Sequence, residues 1–366
     1  MARKLRSDRL LFLATFVLVC ASVVMVYSAS AVVAEERYQQ SHLFLFKQVT
    51  WAALGFLLLA ALMRVDYRRY RQPTVIWSTL GVVVLALVLV LFSREINGTR
   101  RWFAVAGVGV QPSELAKIAA ILFTAALLER RMDRVNDPRQ AIVPIGLMLA
   151  VIAGLILLEP DFGTALSLIV TVSAMVFAAG LSYRYLVGTA LAAVPALWIV
   201  LMSADYRRRR LLTFLDPWQD PQGDGFQIIQ SLIAVGTGGV WGRGLMQGVQ
   251  KLFYLPEPHT DFIYAVISEE LGLVGATVVL ACFAVITWRG LRIAVGAPDR
   301  FGCFLALGLT TMIALQALVN MSVVLGLLPT KGIPLPFVSA GGSSLLINLL
   351  AMGILLNVSQ HAQAER

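Results

Sequence analysis

Long apolar segments recur along the chain and are separated by short polar connections. Each is about 20 residues long, which is the length at which an α-helix crosses ~30 Å of hydrocarbon at ~1.5 Å per residue. The pattern predicts an all-α, polytopic membrane protein with ten membrane-spanning helices, whose ends are placed to within about 2–4 residues. The expected spans are residues 10–33, 43–63, 74–92, 113–129, 141–158, 162–180, 186–203, 261–287, 301–328 and 343–358.

The composition fits this interpretation, because 58% of the 366 residues are hydrophobic, 14% are charged and the mean hydropathy is +0.78. The first apolar segment is longer than the core of a secretory signal peptide and lacks a clear A-x-A cleavage site, so we expect it to remain as an anchor. No low-complexity tract divides the chain. Residues 1–366 are therefore expected to form one transmembrane domain.

Basic residues indicate which helix ends face the cytoplasm. With a cytoplasmic N-terminus, more than half of the 30 Lys and Arg residues fall in cytoplasmic segments, as the positive-inside rule requires. Both termini are then inside, and residues 204–260 form a large extracytoplasmic loop between the seventh and eighth helices. Membrane topology explains much of the net charge of +9, and we expect no nucleic-acid partner. Outer basic residues such as Arg100, Arg101 and Lys331 are exceptions that need another explanation.

Histidines, cysteines and glycine motifs narrow the possible functions. The three cysteines lie in apolar segments without C-x-x-C spacing, as expected of small core residues. The three histidines show no H-E-x-x-H spacing, and the chain has no Walker A motif. We therefore predict no metal-ligating residues and no nucleotide-driven pump.

The segment LPEPHTDFIYAVISEELG places three acids at the start of the eighth apolar segment. Pro256 and Pro258 exclude a regular helix through this stretch, so a helix is expected to begin near Thr260 or Asp261. A carboxylate in the first turn complements the helix dipole. An ionised carboxylate at a polar mouth is also what a general base requires. From these residues alone both roles for Asp261 remain open.

Glu269 and Glu270 are expected ~12–14 Å deeper, because the helix rises ~1.5 Å per residue. Carboxylates at that depth need polar partners inside the bundle. A structural role beside paired cations and a role toward substrate both remain open for them. Glu269 is the stronger functional candidate, since it lies ~80° from Asp261 around the helix whereas Glu270 lies on the opposite face.

The motif QPSELAKI places Glu114 and Lys117 three residues apart on one face of an apolar helix, with Ser113 as a candidate N-cap. The two charges form a local salt bridge that only braces the helix, or they line a polar cavity near the outer leaflet. The sequence leaves both possibilities open.

Two further outer segments contain candidate substrate-binding residues. TRRWF offers the adjacent guanidiniums of Arg100 and Arg101, which suit either an anionic phospholipid or a pyrophosphate. LPTKGIPLPFVSAGGSS contains three prolines and cannot be regular helix, so it is expected to direct Lys331 toward the same outer cavity. Ser343, from this same stretch, is a further substrate-binding candidate.

Six motifs in this order between ten spans resemble the SEDS (shape, elongation, division, sporulation) family, and within it the cell-division branch. The motifs are NGTRRWF, QPSELAK, LEPDFGTA, FLDPWQDPQGDGFQIIQS, KLFYLPEPHTDFIYAVISEELG and LLPTKGIPLPFVSAGGSSL. Matches run from about residue 94 to residue 350, which is most of the chain.

The resemblance implies a peptidoglycan glycosyltransferase that polymerises lipid II outside the bacterial cytoplasmic membrane at the division septum. It implies that Asp261 is the catalytic base and that Glu114, Lys117 and Lys331 are functionally important. It also implies a class B penicillin-binding protein as transpeptidase partner, together with other membrane proteins of the divisome. A divalent cation, Mg²⁺ or Mn²⁺, is a possible cofactor that the sequence neither requires nor excludes.

Three alternatives remain at this stage. A lipid II flippase is one, since a ten-helix bundle with polar interior residues can move a headgroup; transporter sites, however, favour broken helices near the midplane. An elongation-type polymerase of the same family is another. A scaffold that only anchors a partner enzyme is the third, and it requires none of the acids.

Overall fold

The computed structural model describes the chain except for residues 1–6, 94, 96–98, 106–107, 203–204, 224, 253, 331 and 363–366, and except for some side chains within 104–108 and 186–211. Most of the described part is helical. Its α-helices are α1 Arg9–Tyr38, α2 Leu43–Leu62, α3 Pro73–Val90, α4 Pro112–Arg131, α5 Val143–Leu158, α6 Phe162–Ala178, α7 Tyr183–Met202, α8 Asp205–Leu215, α9 Phe226–Gly238, α10 Ile263–Val295, α11 Arg300–Val324 and α12 Gly342–Ser359.

Each of the ten predicted segments coincides with one of these helices, namely α1 to α7 and α10 to α12. Seven helices of the described chain are long and apolar enough to cross a membrane: α1, α2, α3, α5 with the turn before it, α10, α11 and α12. Helix α6 has only 17 residues, and α4 carries charges at both ends. The all-helical membrane architecture is confirmed, whereas the count of ten crossings remains a prediction.

The structure differs from the sequence expectations at three places outside the ten predicted segments or at their ends. Residues 204–260, predicted as one large loop, contain α8 and α9. Two three-residue strands, Phe103–Val105 and Val108–Val110, pair antiparallel with Phe103 opposite Val110. The predicted N-cap role of Ser113 is wrong, because Pro112 takes the first helical position and Gln111 the cap position.

Helix α12 lies at the centre of the bundle and α2 at its periphery. Of the apolar window in each helix, 78% is buried in α12 and 22% in α2. The two helices approach closely, since a Cβ on Gly353 would lie only 2.9 Å from the Cα of Leu59. Small residues at such contacts allow backbones to pack in lipid, where packing replaces the hydrophobic effect as the driving force.

Helix α10 is broken at Gly272, whose φ of 65° lies in the left-handed region. The break removes main-chain hydrogen bonds that must be replaced within a membrane. Residues 239–244 replace them, because this segment pairs with α10 on both sides of the break. The bonds run from Arg243 N to Glu269 O (3.0 Å), Gly244 N to Glu270 O (3.0 Å), Leu273 N to Gly239 O (2.9 Å) and Val274 N to Val240 O (3.2 Å).

Candidate functional site

Asp261 lies in a short turn that ends where α10 begins, at Ile263. It therefore precedes the helix rather than occupying its first turn, a shift of two residues from the expected boundary. Three successive main-chain carbonyls fix this turn. His259 O accepts from Ala340 N at 2.9 Å, Thr260 O from Ser339 Oγ at 2.6 Å and Asp261 O from Asn320 Nδ2 at 2.8 Å.

The carboxylate of Asp261 lies against the loop that precedes α12. A Cβ placed on Gly332 would lie 2.8 Å from Asp261 Oδ2, so a glycine at this position leaves room for the carboxylate. The side chain of Asp261 is partly exposed. Lys331, the predicted cationic residue of this loop, is one of the residues that the structure does not describe.

Two carboxamides on α11 connect this loop to the charged pair on α4. Lys117 Nζ donates to Glu114 Oε1 and to Gln316 Oε1, both at 3.0 Å. Gln316 Nε2 in turn donates to Pro334 O at 3.1 Å. Asn320, one helical turn further, donates to Ile333 O at 2.7 Å. A continuous chain of hydrogen bonds thus runs from Glu114 to the loop beside Asp261.

Glu114 and Lys117 are 3% and 4% exposed, so the pair is almost completely buried. Their contacts favour the bracing role that the sequence left open, with the addition that Lys117 also braces Gln316. A role in binding substrate remains a prediction for both residues.

Glu269 and Glu270 are fully buried and hold the segment 243–251 against α10. Glu270 accepts from Lys251 Nζ, from Ser28 Oγ at 2.7 Å and from Met246 N at 2.9 Å. Lys251 and Ser28 are themselves buried, so this cluster joins α1 to α10 inside the protein.

Glu269 accepts from the main-chain N of Val249 at 2.8 Å and lies 3.5 Å from Arg243 Nη1. These contacts match the structural alternative, in which each glutamate is paired with a cation. The assignment of Glu269 to substrate binding is a prediction that these contacts do not require.

Arg100 and Arg101 contact the carboxyl ends of two helices. Arg101 donates from Nε to Glu159 O at 2.8 Å and from Nη2 to Pro160 O at 2.6 Å, directly after α5. Arg100 donates to Leu91 O at 3.4 Å, directly after α3. Cations at helix C-termini interact favourably with the helix dipole. The two guanidiniums therefore cap the C-terminal ends of α3 and α5. Their predicted role in binding pyrophosphate is still a proposal.

Glu159 is a buried carboxyl group in the connection between α5 and α6. It is 0% exposed, and neither of its side-chain oxygens has a hydrogen-bond partner within the described part of the chain. Burial and the neighbouring Asp161 carboxylate raise the pKa of Glu159 to about 8, while the Arg101 guanidinium opposes the shift. The Asp161 carboxylate, in contrast to that of Glu159, accepts a hydrogen bond from Thr164 N at 3.1 Å and so caps the N-terminus of α6.

Two other side chains lie near the same end of the bundle. Ser343 is in the first turn of α12, is 4% exposed and has an Oγ without a partner among the described residues. The ring of His259 packs on Phe44 with centroids 4.6 Å apart. Burial lowers the pKa of His259, and the Glu257 carboxylate opposes that effect.

No three His, Cys, Asp or Glu side chains of the described chain lie close enough to hold a metal ion. Mg²⁺ often binds through one or two carboxylates together with substrate phosphates.

Sequence reasoning missed Gln316 and Asn320. The available signal was their spacing, since two carboxamides four residues apart share one face of the mainly apolar stretch TMIALQALVNMSVV. Polar side chains on a membrane helix generally hydrogen-bond inside the bundle. Their partners are main-chain carbonyls of a distant loop, which the sequence does not identify.

Comparison with known proteins agrees with the motif resemblance. A family model for FtsW, RodA and SpoVE, described as cell cycle protein, matches residues 8–364. The chain is 46% identical over 356 residues to a probable peptidoglycan glycosyltransferase FtsW of Geobacter sulfurreducens, covering 97% of this chain and 95% of the relative. It is 43% identical over 367 residues to the stage V sporulation protein E of Bacillus subtilis, covering 99% of each.

Solved structures give the same result. A chain from a peptidoglycan synthase complex that coordinates polymerization and crosslinking aligns with a TM-score of 0.79 at 34% identity, covering 98% of this chain and 99% of that one. The rod shape determining protein RodA of Thermus thermophilus aligns with a TM-score of 0.72 at 28% identity, covering 98% of each chain. On the strength of a family match over nearly its whole length, the chain belongs to the FtsW, RodA and SpoVE family of cell cycle proteins.

Proposed function

We propose that this protein is a peptidoglycan glycosyltransferase that polymerises lipid II at the outer face of the cytoplasmic membrane during septal cell-wall synthesis. Identity of 46% over nearly the full length to a probable peptidoglycan glycosyltransferase FtsW supports the enzyme class. The main structural support for the proposed active site is the fixed turn around Asp261. Three consecutive main-chain carbonyls of this turn accept hydrogen bonds from α11 and from the loop before α12.

Asp261 is the general base in this proposal. Its carboxylate takes the proton of the acceptor sugar's 4-hydroxyl as that oxygen attacks the anomeric carbon of the donor. The new C1–O4 bond forms while the C1–O bond to the diphosphate breaks, and undecaprenyl pyrophosphate leaves with the bonding electrons. One direct displacement converts the α-linked donor to a β-linked product.

The fixed turn supports this role because a general base must stay within ~3 Å of the proton that it removes. Asn320, Ser339 and Ala340 hold the main chain, so the carboxylate does not depend on a flexible loop for its position. Positioning of this kind contributes to rate by reducing the entropy lost on reaching the reactive geometry.

Cations are proposed to offset the charge of the departing diphosphate. The candidates are Arg100, Arg101, Lys117 and Lys331, with Glu114, Glu269 and Ser343 as further substrate contacts. Preorganised positive charge is most effective where water is excluded. We also propose a divalent cation, Mg²⁺ or Mn²⁺, as a cofactor that would add positive charge beside the diphosphate, and no step of this mechanism passes through it.

We also propose the membrane orientation and the partners. The expected topology has both termini in the cytoplasm, which places Asp261 and residues 204–260 on the outer side. A structural neighbour that comes from a peptidoglycan synthase complex supports pairing with a transpeptidase, which we expect to be a class B penicillin-binding protein, and with other divisome membrane proteins.

Within the described part of the chain, the broken helix α10 is a feature that fits a transporter instead. Transporters use unwound main chain at such breaks to bind ions or substrate. Here the groups freed at Gly272 are bound by residues 239–244. This pairing favours a structural break, and with it the polymerase over the flippase.

The experiment compares Asp261→Asn with Glu257→Gln, an exposed carboxylate four residues earlier. Each variant is purified with its transpeptidase partner and given labelled lipid II, and glycan strands are separated by size. We expect Asp261→Asn to fold, to bind the partner and to polymerise ~10²–10⁴-fold more slowly, while Glu257→Gln stays near wild type. A folded, partner-bound Asp261→Asn complex that polymerises at the wild-type rate would exclude the general-base role. Headgroup translocation in liposomes without glycan product would instead support the flippase.

A further inference from the structure

A groove opens between α3, α4 and α5 at the end of the bundle opposite Asp261. It encloses about 250 Å³. Its position follows from α4. Lys117 is linked through Gln316 to the loop beside Asp261, whereas Arg130, at the groove, lies ~20 Å further along the helix at ~1.5 Å per residue. In the proposed topology this is the cytoplasmic leaflet.

The wall of the groove is apolar and includes an exposed tryptophan. Trp77 is 65% exposed, and its ring meets that of Phe123 edge-on with centroids 5.9 Å apart. The rest of the apolar lining comprises Pro73, Ile76, Ala126, Leu127 and Pro144. Tryptophan is enriched at membrane interfaces, where its ring is apolar and its N–H stays polar. A surface of this shape and composition suits an acyl chain.

Arg130 gives the mouth of the groove an uncompensated positive charge. Its side chain is exposed and has no ion pair or hydrogen bond among the described residues. The adjacent Arg131 also lines the groove, but it is held by a hydrogen bond to Gln140 O at 2.6 Å. A free arginine at the apolar groove is a candidate anion-binding group.

The acids nearest to Arg130 in the chain are already engaged. Glu129 pairs with Arg71 at 3.0 Å, and Asp133 lies 3.3 Å from Arg300. Neither carboxylate lines the groove. The positive charge of Arg130 is therefore available to an external anion.

We propose that this groove binds one anionic glycerophospholipid of the surrounding leaflet. The phosphate is held by Arg130, and one acyl chain lies between Trp77 and Phe123. Two properties favour this occupant over a protein helix. The volume of about 250 Å³ is small for a helix ~10 Å across, and the arginines at the mouth, Arg130 and Arg131, lie at the level of the headgroups. Basic pockets between membrane helices on the cytoplasmic side bind anionic headgroups in this way. The inference does not depend on the proposed reaction at Asp261.

The test measures lipid binding by the purified full-length protein in detergent. Phosphatidylglycerol and phosphatidylcholine with identical acyl chains are titrated, and bound lipid is counted by native mass spectrometry. We expect the protein to prefer phosphatidylglycerol by about fivefold, as ~1 kcal/mol for one arginine at a charged surface implies. Arg130→Gln should abolish the preference, and Trp77→Leu should weaken binding of both lipids.

Arg134→Gln is the matched control, because Arg134 is also exposed, lies one turn further and does not line the groove. It should keep the preference for phosphatidylglycerol. Melting temperatures in the absence of added lipid should be the same for the wild type, Arg130→Gln and Arg134→Gln, since both arginine side chains are exposed.

Three results would overturn the proposal. Equal loss of preference in Arg130→Gln and Arg134→Gln would indicate a diffuse surface attraction without a site. Equal binding of the two lipids by the wild type would remove the headgroup contact. Complete competition by glycerol 3-phosphate would show a site for free phosphate rather than for a lipid.

Discussion

Asn320 holds Asp261 by its main chain, since Asn320 Nδ2 donates to Asp261 O at 2.8 Å. The same nitrogen donates to Ile333 O at 2.7 Å. Asn320 is 1% exposed, so water cannot replace either bond. One buried amide thus sets the distance between the turn at Asp261 and the loop before α12.

Replacing this amide should affect the reaction more than the fold. Asn320→Leu leaves two carbonyls without their donor, and a buried group without a partner costs ~1–3 kcal/mol. We expect a lower melting temperature and, because the turn shifts, at least ~tenfold slower glycan synthesis per folded molecule. Both are measured on the purified complex.

Asn357 provides the control at the other end of the bundle. It accepts from Tyr67 N at 2.9 Å and donates to Met63 O at 2.8 Å. Asn357→Leu should reduce the melting temperature by a similar amount and leave polymerisation per folded molecule unchanged. Equal losses of activity in both variants would mean that Asn320 acts only through stability.

The pair on α4 allows a double-mutant test. Removing one member of a buried ion pair costs ~3–5 kcal/mol, because the remaining charge is left unpaired. Lys117→Met should therefore destabilise the protein strongly, and Glu114→Leu added to it should restore most of the stability. We expect polymerisation to remain low in the double variant, because Gln316 still lacks its lysine. Full recovery of activity would assign the pair to bracing α4 alone.

The buried cluster around Glu270 should be far more sensitive than its exposed neighbour. Lys251 is 4% exposed, and its loss leaves Glu270 unpaired, so Lys251→Met should cost ~3–5 kcal/mol. Arg243 is 39% exposed on its side chain and lies 3.5 Å from Glu269, so Arg243→Gln should cost ~1 kcal/mol or less. Thermal unfolding of the two variants measures the difference in stability. Similar losses of stability would show that the buried Lys251–Glu270 pair contributes no more than the exposed Arg243 contact.

The apolar segments predicted the helices because a stretch of about 20 apolar residues favours an α-helix, in which the main chain satisfies its own hydrogen bonds. Pro256 and Pro258 likewise placed the start of α10 within two residues. The hydrogen bonds of Gln316 and Asn320 could not be predicted in the same way. Each joins α11 to a loop carbonyl whose position depends on how several helices pack.

The partners of Glu269 and Glu270 could not be predicted from the sequence either. Their sequence context showed only that such acids require partners. Lys251 and Arg243 could not be identified as those partners, because the return of residues 239–251 to the broken helix depends on the left-handed conformation at Gly272. A glycine in an apolar helix does not by itself indicate such a break.

Glu159 should make stability depend on pH. Its pKa is about 8 in the folded protein against 4.5 for an unperturbed glutamate. The folded state therefore holds this proton more tightly, and the resulting stabilisation is complete below pH ~4.5 and is lost as the pH rises to about 8. Glu159→Gln keeps a neutral group at every pH. The melting temperature of Glu159→Gln minus that of the wild type should therefore increase from pH 5 to pH 8. A difference in melting temperature that does not change with pH would contradict the raised pKa.

Gly332 offers the sharpest test of how closely the loop approaches Asp261. A Cβ at this position would lie 2.8 Å from Asp261 Oδ2, which is shorter than real Cβ contacts. Gly332→Ala should therefore move the carboxylate by a few tenths of an ångström or more and slow polymerisation, since displacements near 1 Å can cost ~10²-fold.

Gly341→Ala is the matched control in the same loop. Its φ of 176° is extended, and its added Cβ would lie 3.7 Å from the Cβ of Ser344, an ordinary contact. We expect both variants to retain partner binding and a melting temperature close to wild type, and only Gly332→Ala to lose turnover. If the two alanine variants polymerise lipid II equally well, the loop does not constrain Asp261 during the reaction.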